Sequence, residues 1–194
     1  MPIVSIVYHS GTGSTAKLAE AVARGAREIP GTQVQMLVIE GRDIVEGRYR
    51  NEELIAKLDS SDAIIFGSPT YMGDVSGQFK CFADATAPRW FTRAWADKIA
   101  GGFTVSAHLM GDKDHTINTL HVFAMQHAMI WVGISEVPEL NNGVNRLSIP
   151  RGAVGVSPLD PAAGGLQSED LPTGEALGRH IAKVTARWMA GKPA

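Results

Sequence analysis

Residues 9–15 read His-Ser-Gly-Thr-Gly-Ser-Thr, hydroxyl side chains interleaved with two glycines between an apolar run and an amphipathic one. Ser10, Thr12, Gly13, Ser14 and Thr15 together offer O–H and backbone N–H donors to a single anion. A helix beginning here adds the positive end of its dipole. The chemistry that suits is binding of a phosphate monoester. The lysine of Gly-x-x-x-x-Gly-Lys-Ser/Thr is missing, which excludes a nucleoside-triphosphate loop. The Gly-x-Gly-x-x-Gly spacing of a dinucleotide pyrophosphate site is missing too. A plain helix cap with turn glycines competes with this reading, and the strand before and helix after weigh toward phosphate.

A second cluster is Ser68-Pro69-Thr70-Tyr71-Met72-Gly73-Asp74. Pro69 stiffens a turn and Gly73 admits close backbone approach. Tyr71 and Met72 suit a flat heterocycle, by stacking or sulfur–aromatic contact. A third, Ser106-Ala107-His108-Leu109-Met110-Gly111, is placed to wall the other side of such a ring. Trp90 and Trp95 are candidates to cover its face, although core or interface packing is the commoner fate of a tryptophan. His127 follows Gln126 at a helix end and is a candidate donor to a ring carbonyl or a substrate. His115 and His121 lack partners at metal-ligand spacing, so no zinc site is expected.

These clusters sit between short apolar runs and helical patterns. Ile3–Tyr8 reads as a buried strand and Thr15–Glu28 as a helix with Leu18, Val22, Gly25 and Ile29 on one face. Val34–Ile39 is a second strand and Asn51–Leu58 a short helix. Ala63–Gly67 is apolar on both faces, as in a parallel sheet covered on both sides. Gly77–Ala87 reads as helical. Lys98–Ser106 holds a fourth strand with a Gly101-Gly102 pair that permits close packing or a bulge. Thr116–His127 reads as a helix, Met129–Ile134 as a fifth strand, and Leu177, Ile181, Val184 and Trp188 mark a last helix. The stretch at about 135–171 lacks periodicity and reads as a long irregular insertion in one domain spanning 1–194. Repeated strand–helix alternation predicts a doubly wound α/β sheet, whose ligands bind beyond the carboxyl ends of the strands.

A net charge of −2 gives nothing to draw the molecule to nucleic acid or anionic lipid. The lone Cys81 precludes an internal disulfide, no apolar run approaches membrane-spanning length, and the amino terminus lacks signal-peptide features. A cytoplasmic protein without membrane insertion is expected.

The motifs resemble the flavodoxin superfamily, and more narrowly the WrbA-type NAD(P)H:quinone oxidoreductases. Tyr8-His9-Ser10 through Gly25-Ala26 follows that family's opening. Asp62-Ala63-Ile64-Ile65-Phe66-Gly67-Ser68-Pro69-Thr70 is nearly its third-strand motif, and Gly73-Asp74-Val75-Ser76-Gly77-Gln78 is similar to its Gly-Asn-Met-Ser-Gly-Gln. The resemblance implies a flavodoxin-like five-stranded parallel sheet of order 2-1-3-4-5 with helices on both faces. It implies FMN as cofactor, NAD(P)H as electron donor and a quinone as acceptor. Ser10, Thr12, Gly13, Ser14 and Thr15 would hold the FMN phosphate. Pro69, Thr70, Tyr71, Met72, Gly73 and Ser106 would contact ribityl and ring. Trp90 would face the ring, in a neighbouring subunit's site, within a homo-oligomer (dimer or tetramer). The family's glycine-rich fourth loop reads Ser106–Gly111 here, and the first histidine of its His-His-Gly-Met is Gln126. The competing reading is an electron carrier or flavin-binding module without quinone turnover.

Overall fold

The computed structural model describes residues 1–160, 162 and 164–191. The chain runs β1 (Ile3–Tyr8), α1 (Ser14–Arg27), β2 (Gln33–Val38), a small hairpin of β3 (Ile44–Val45) and β4 (Arg48–Tyr49), and α2 (Glu52–Asp59). It continues through β5 (Ala63–Tyr71), β6 (Asp74–Val75), α3 (Gly77–Ala85), α4 (Ala87–Phe91), β7 (Ile99–Ser106) and α5 (Lys113–Gln126). The last elements are β8 (Ile130–Trp131), β9 (Ala153–Val156) and α6 (Leu171–Ala190). The main strands are parallel in the order β2-β1-β5-β7-β8, the flavodoxin-like order 2-1-3-4-5, with helices on both faces.

Why the central strands carry apolar residues on both faces is plain from the two cores. Side chains alternate across a strand, so Ile65 packs beneath α1 and α6 while Ile64 and Phe66 join Phe79, Phe82, Trp95 and Leu120 on the other face. On the first face α1 and α6 touch through their backbones. A Cβ on Gly178 would stand 1.9 Å from the Val22 carbonyl oxygen, and one on Gly25 would stand 1.9 Å from that of Glu175. Glycine there sets how closely the two helices pack.

The fifth strand is divided. β8 pairs with Ile99 and Ala100 at the start of β7, and β9 pairs with Phe103–Ser106 at its end. Between them the chain makes an excursion whose neck is closed by the Ile134 N–H donating to the Pro150 carbonyl at 2.7 Å. Gly101 and Gly102 lie beside the neck: a Cβ on Gly152 would come within 2.4 Å of the Gly102 oxygen, and one on Gly101 within 3.1 Å of the Val132 oxygen. The fifth strand anticipated over Met129–Ile134 is thus only its first half. Its second half, Ala153–Val156, is fully buried inside the segment that sequence marks as irregular. A four-residue strand interrupted by Gly155 has too little periodicity to announce itself. Among the described residues, no helix is long and apolar enough to cross a membrane.

Candidate functional site

The loops after β1, β5 and β7 converge at the carboxyl edge of the sheet, joined by the loop after β9. They enclose a pocket of about 550 Å³, within the range of small-molecule sites. At one end stand Thr12, Ser14 and Thr15, where α1 begins. Gly13 caps that helix with φ of 91°, a left-handed conformation that glycine adopts freely, and a Cβ there would meet no atom within 4 Å. The first-turn N–H groups of Ser14 and Thr15 have no intrahelical acceptor, as at any helix start. Ser10 Oγ accepts from the N–H groups of Gly13 at 3.1 Å and Ala16 at 3.2 Å, which folds the loop back on itself. Ser14 and Ser157 share a hydroxyl hydrogen bond of 2.7 Å, tying the helix start to the loop after β9.

The other end is formed by Pro69, Thr70, Tyr71 and Met72 facing Val105, Ser106 and Ala107. Thr70 Oγ1 is 2.9 Å from both Thr104 Oγ1 and Thr116 Oγ1, so the lining Thr70 is anchored by buried hydroxyls on β7 and α5. Tyr71 and Asp74 pair across a tight turn in which Met72 (φ 49°) and Gly73 (φ 84°) are both left-handed. Positive φ at both central positions is the requirement of a type I′ turn. The turn leaves Met72 exposed and lays Tyr71 across the first loop: a Cβ on Gly11 would stand 2.1 Å from Tyr71 Oη. Underneath, the Ser76 N–H donates to Ser68 Oγ at 2.9 Å and His9 Nδ1 lies 2.9 Å from Ser76 Oγ. Burial lowers the pKa of His9.

Behind the third wall lies Lys113, the first residue of α5, only 1% exposed. Its Nζ donates to Ser106 Oγ at 2.8 Å and to the His108 carbonyl. Ser106 Oγ in turn donates to the same carbonyl at 3.0 Å. Burial brings the lysine pKa down to about 8, opposed by the charge of Asp170 and aided by that of Arg146.

Thr12, Ser14, Thr15, Pro69, Thr70, Tyr71, Met72 and Ser106 therefore share one pocket, and Ser10, Gly13 and Gly73 shape its loops. Two expectations are corrected. Trp95 does not cover a ring in the pocket: it is fully buried against Phe66 and donates to Asp59 Oδ1 at 2.7 Å. His127 sits at the far end of α5 from the pocket. Its Nε2 is 2.9 Å from Thr86 Oγ1 and its ring lies 4.5 Å from that of Trp95. Burial, with the Arg93 charge, pushes its pKa down to about 4, so it is a neutral core histidine. Trp90 stands on α4, toward the opposite edge of the sheet, 40% exposed and beside Phe91, which is 82% exposed. Sequence reasoning missed Ser157 and Leu159 as pocket residues, because the strand delivering them was unseen. Lys113 carried no signal, since a lysine on a helix reads as a solvated one.

A second concavity, about 600 Å³, lies across the 109–112 loop between α5 and the excursion. Its one arginine, Arg151, is committed to Asp114 at 2.6 Å and Asn118 at 3.1 Å, and the start of α5 that borders it presents the carboxylates of Asp112 and Asp114, which disfavour an anion.

Residues 2–138, more than half of the chain, match the family described as NADPH-dependent FMN reductase. An NAD(P)H dehydrogenase (quinone) from Geobacter sulfurreducens is 35% identical, over 95% of this chain and 98% of its own length. Flavodoxin FldP from Pseudomonas aeruginosa is 39% identical, over 92% of this chain and 94% of its own length. Among solved structures, a WrbA-like flavodoxin from Agrobacterium tumefaciens superposes with a TM-score of 0.75 at 36% identity, covering 96% of this chain and 99% of that one. The fold is thus that of known relatives, and the chain belongs to the NADPH-dependent FMN reductase family of flavodoxin-like oxidoreductases.

Proposed function

We propose that this protein is an FMN-dependent oxidoreductase that passes electrons from NAD(P)H to quinones. The observation that carries the reading is one pocket in which the start of α1, with Thr12, Ser14 and Thr15, lies beside a cleft walled by Pro69–Met72 and Val105–Ala107. The fit to FMN rests on the Gly13 cradle, which is free of protein atoms where a phosphate would approach. The Ser10 hydroxyl proton, the Thr12, Ser14 and Thr15 hydroxyls and the N–H groups around Gly13 would hold that phosphate, favoured by the helix dipole. Pro69, Thr70, Tyr71, Met72, Gly73 and Ser106 would orient the ribityl chain and the ring. FMN, when bound, supplies the two-electron chemistry.

Met72 and Leu159, both exposed at the mouth, would shed water and receive an apolar planar acceptor. The Geobacter relative named as a quinone dehydrogenase supports a quinone in that place. The exposed Trp90–Phe91 pair supports a homo-oligomer, dimer or tetramer, in which Trp90 faces a neighbour's ring. We read residues 1–194 as one domain, acting in the cytoplasm; the single cysteine fits a reducing compartment. Titrating apo-protein with FMN, then following NADH and NADPH oxidation with a benzoquinone, tests the assignment. Undetectable FMN binding would remove it.

An electron carrier without turnover is the second reading, favoured by the similarity to flavodoxin FldP. Carriers steer to partners through strong surface charge, which a net charge of −2 does not provide. Steady-state turnover with a quinone separates the two.

A further inference from the structure

Lys113 is out of place by every ordinary rule. It is buried, it stands at the positive end of a helix, and it makes no salt bridge among the described residues. The carboxylate whose charge it feels, Asp170, is itself buried and already bound to Arg146 at 2.8 and 3.0 Å and to the Val156 N–H at 2.8 Å. Its amine is turned instead onto Ser106, which lines the pocket, and onto the next turn of the same loop. A cation kept there at a cost in stability points to an anion that arrives in the pocket.

We propose that Lys113 is a positioning residue that fixes the Ser106–His108 wall and lends it positive charge, so that the pocket holds reduced FMN more tightly than oxidised FMN. This rests on the reading of the pocket as an FMN site. Oxidised FMN takes up two electrons and one proton from its donor, and the product carries one negative charge more than the starting form. A cation behind Ser106 favours that added charge through a low-dielectric wall. Because the charge acts through Ser106, it biases the electron affinity of the cofactor without touching a reacting atom.

The test compares the full-length wild type with Lys113→Met, Lys113→Gln and Lys113→Arg. Dissociation constants are measured for oxidised FMN and, anaerobically, for chemically reduced FMN, together with the midpoint potential of the bound cofactor. Far-UV circular dichroism checks the fold. In Lys113→Met the preference for reduced over oxidised FMN falls roughly tenfold, which lowers the two-electron midpoint by about 30 mV. Lys113→Gln, which keeps a donor but no charge, behaves as Lys113→Met and keeps the test open should the methionine variant misfold. Lys113→Arg retains the wild-type preference. Equal weakening of both forms in Lys113→Met and Lys113→Gln would mark a purely structural lysine and overturn the proposal, as would an unchanged ratio. A wild type that binds no FMN brings down the cofactor assignment and this proposal with it, a result told apart by the wild-type titration alone.

Discussion

Replacing Lys113 by methionine tests the energetic side of the site without any ligand. The folded chain holds this amine at a pKa of about 8, against an ordinary 10.5. The displacement is worth roughly 3 kcal/mol at neutral pH. The sign follows from proton counting. Between pH 8 and 10.5 the unfolded chain binds the proton that the folded chain has released, so raising the pH stabilises the fold. Below pH 8 both states are charged and the full penalty applies. Methionine conserves much of the volume and has nothing to titrate. In urea unfolding of apo-protein, the stability of Lys113→Met relative to wild type should therefore be greatest near pH 7. It should fall by about 2–3 kcal/mol on going to pH 10. The two hydrogen bonds to Ser106 and His108 that methionine forfeits, about 1.5–3 kcal/mol for each bond to a charged group, are large enough to cancel the gain at pH 7. That loss sets the level of the curve more than its slope. A stability difference that stays flat from pH 7 to 10 would refute the argument.

Gly13→Val forces a branched side chain into a left-handed residue, a strain of about 1–3 kcal/mol; fluorescence titration should show FMN binding weakened by at least tenfold, and unchanged affinity would disprove the phosphate cradle. Gly152→Ala places a Cβ against the Gly102 oxygen, so denaturant unfolding should show a loss of about 2–4 kcal/mol. His127 is neutral when folded with a pKa of about 4, so its contribution is intact above pH 6.5 and is lost as pH falls toward 4. His127→Phe should flatten the acid limb of the stability profile by up to roughly 3 kcal/mol. Trp90→Ala should slow quinone reduction severalfold in steady-state assays while leaving FMN affinity within about twofold, because Trp90 lies outside the pocket of its own chain; normal kinetics across several quinones would count against a role in a neighbour's site.

What sequence made legible was whatever local chemistry dictates. Ile3–Tyr8 and Ala63–Gly67 announce buried parallel strands because no polar residue but Ser5 interrupts them, and Ser5 is satisfied by Ser61 at 2.7 Å. The run Thr12–Thr15 announces a helix start because hydroxyls and glycine serve no other local purpose so well. What stayed hidden depends on contacts distant in sequence. Ser157 reaches Ser14 across 143 positions, and the cost of burying Lys113 comes from desolvation by the surrounding fold, eased by Asp170 and increased by Arg146, which lie on other segments. Trp95 and His127 misled for the reverse reason. Both look equipped for chemistry, yet each is packed in the core, with Trp95 Nε1 donating to Asp59 and His127 Nε2 held by Thr86.

The divided fifth strand ties an outlying part of the chain to the pocket. Since residues 133–151 leave and rejoin at a pinched base, trimming them would spare the ladder around β7, whose pairing on either side is complete without them. Arg146, however, hangs from that appendage and clamps Asp170, and Asp170 holds the Val156 amide one residue ahead of Ser157. Shortening the appendage would therefore leave the buried Asp170 without its ion pair and slacken the pocket mouth, a cost that falls on the Val156–Ser157 segment rather than on the strand ladder.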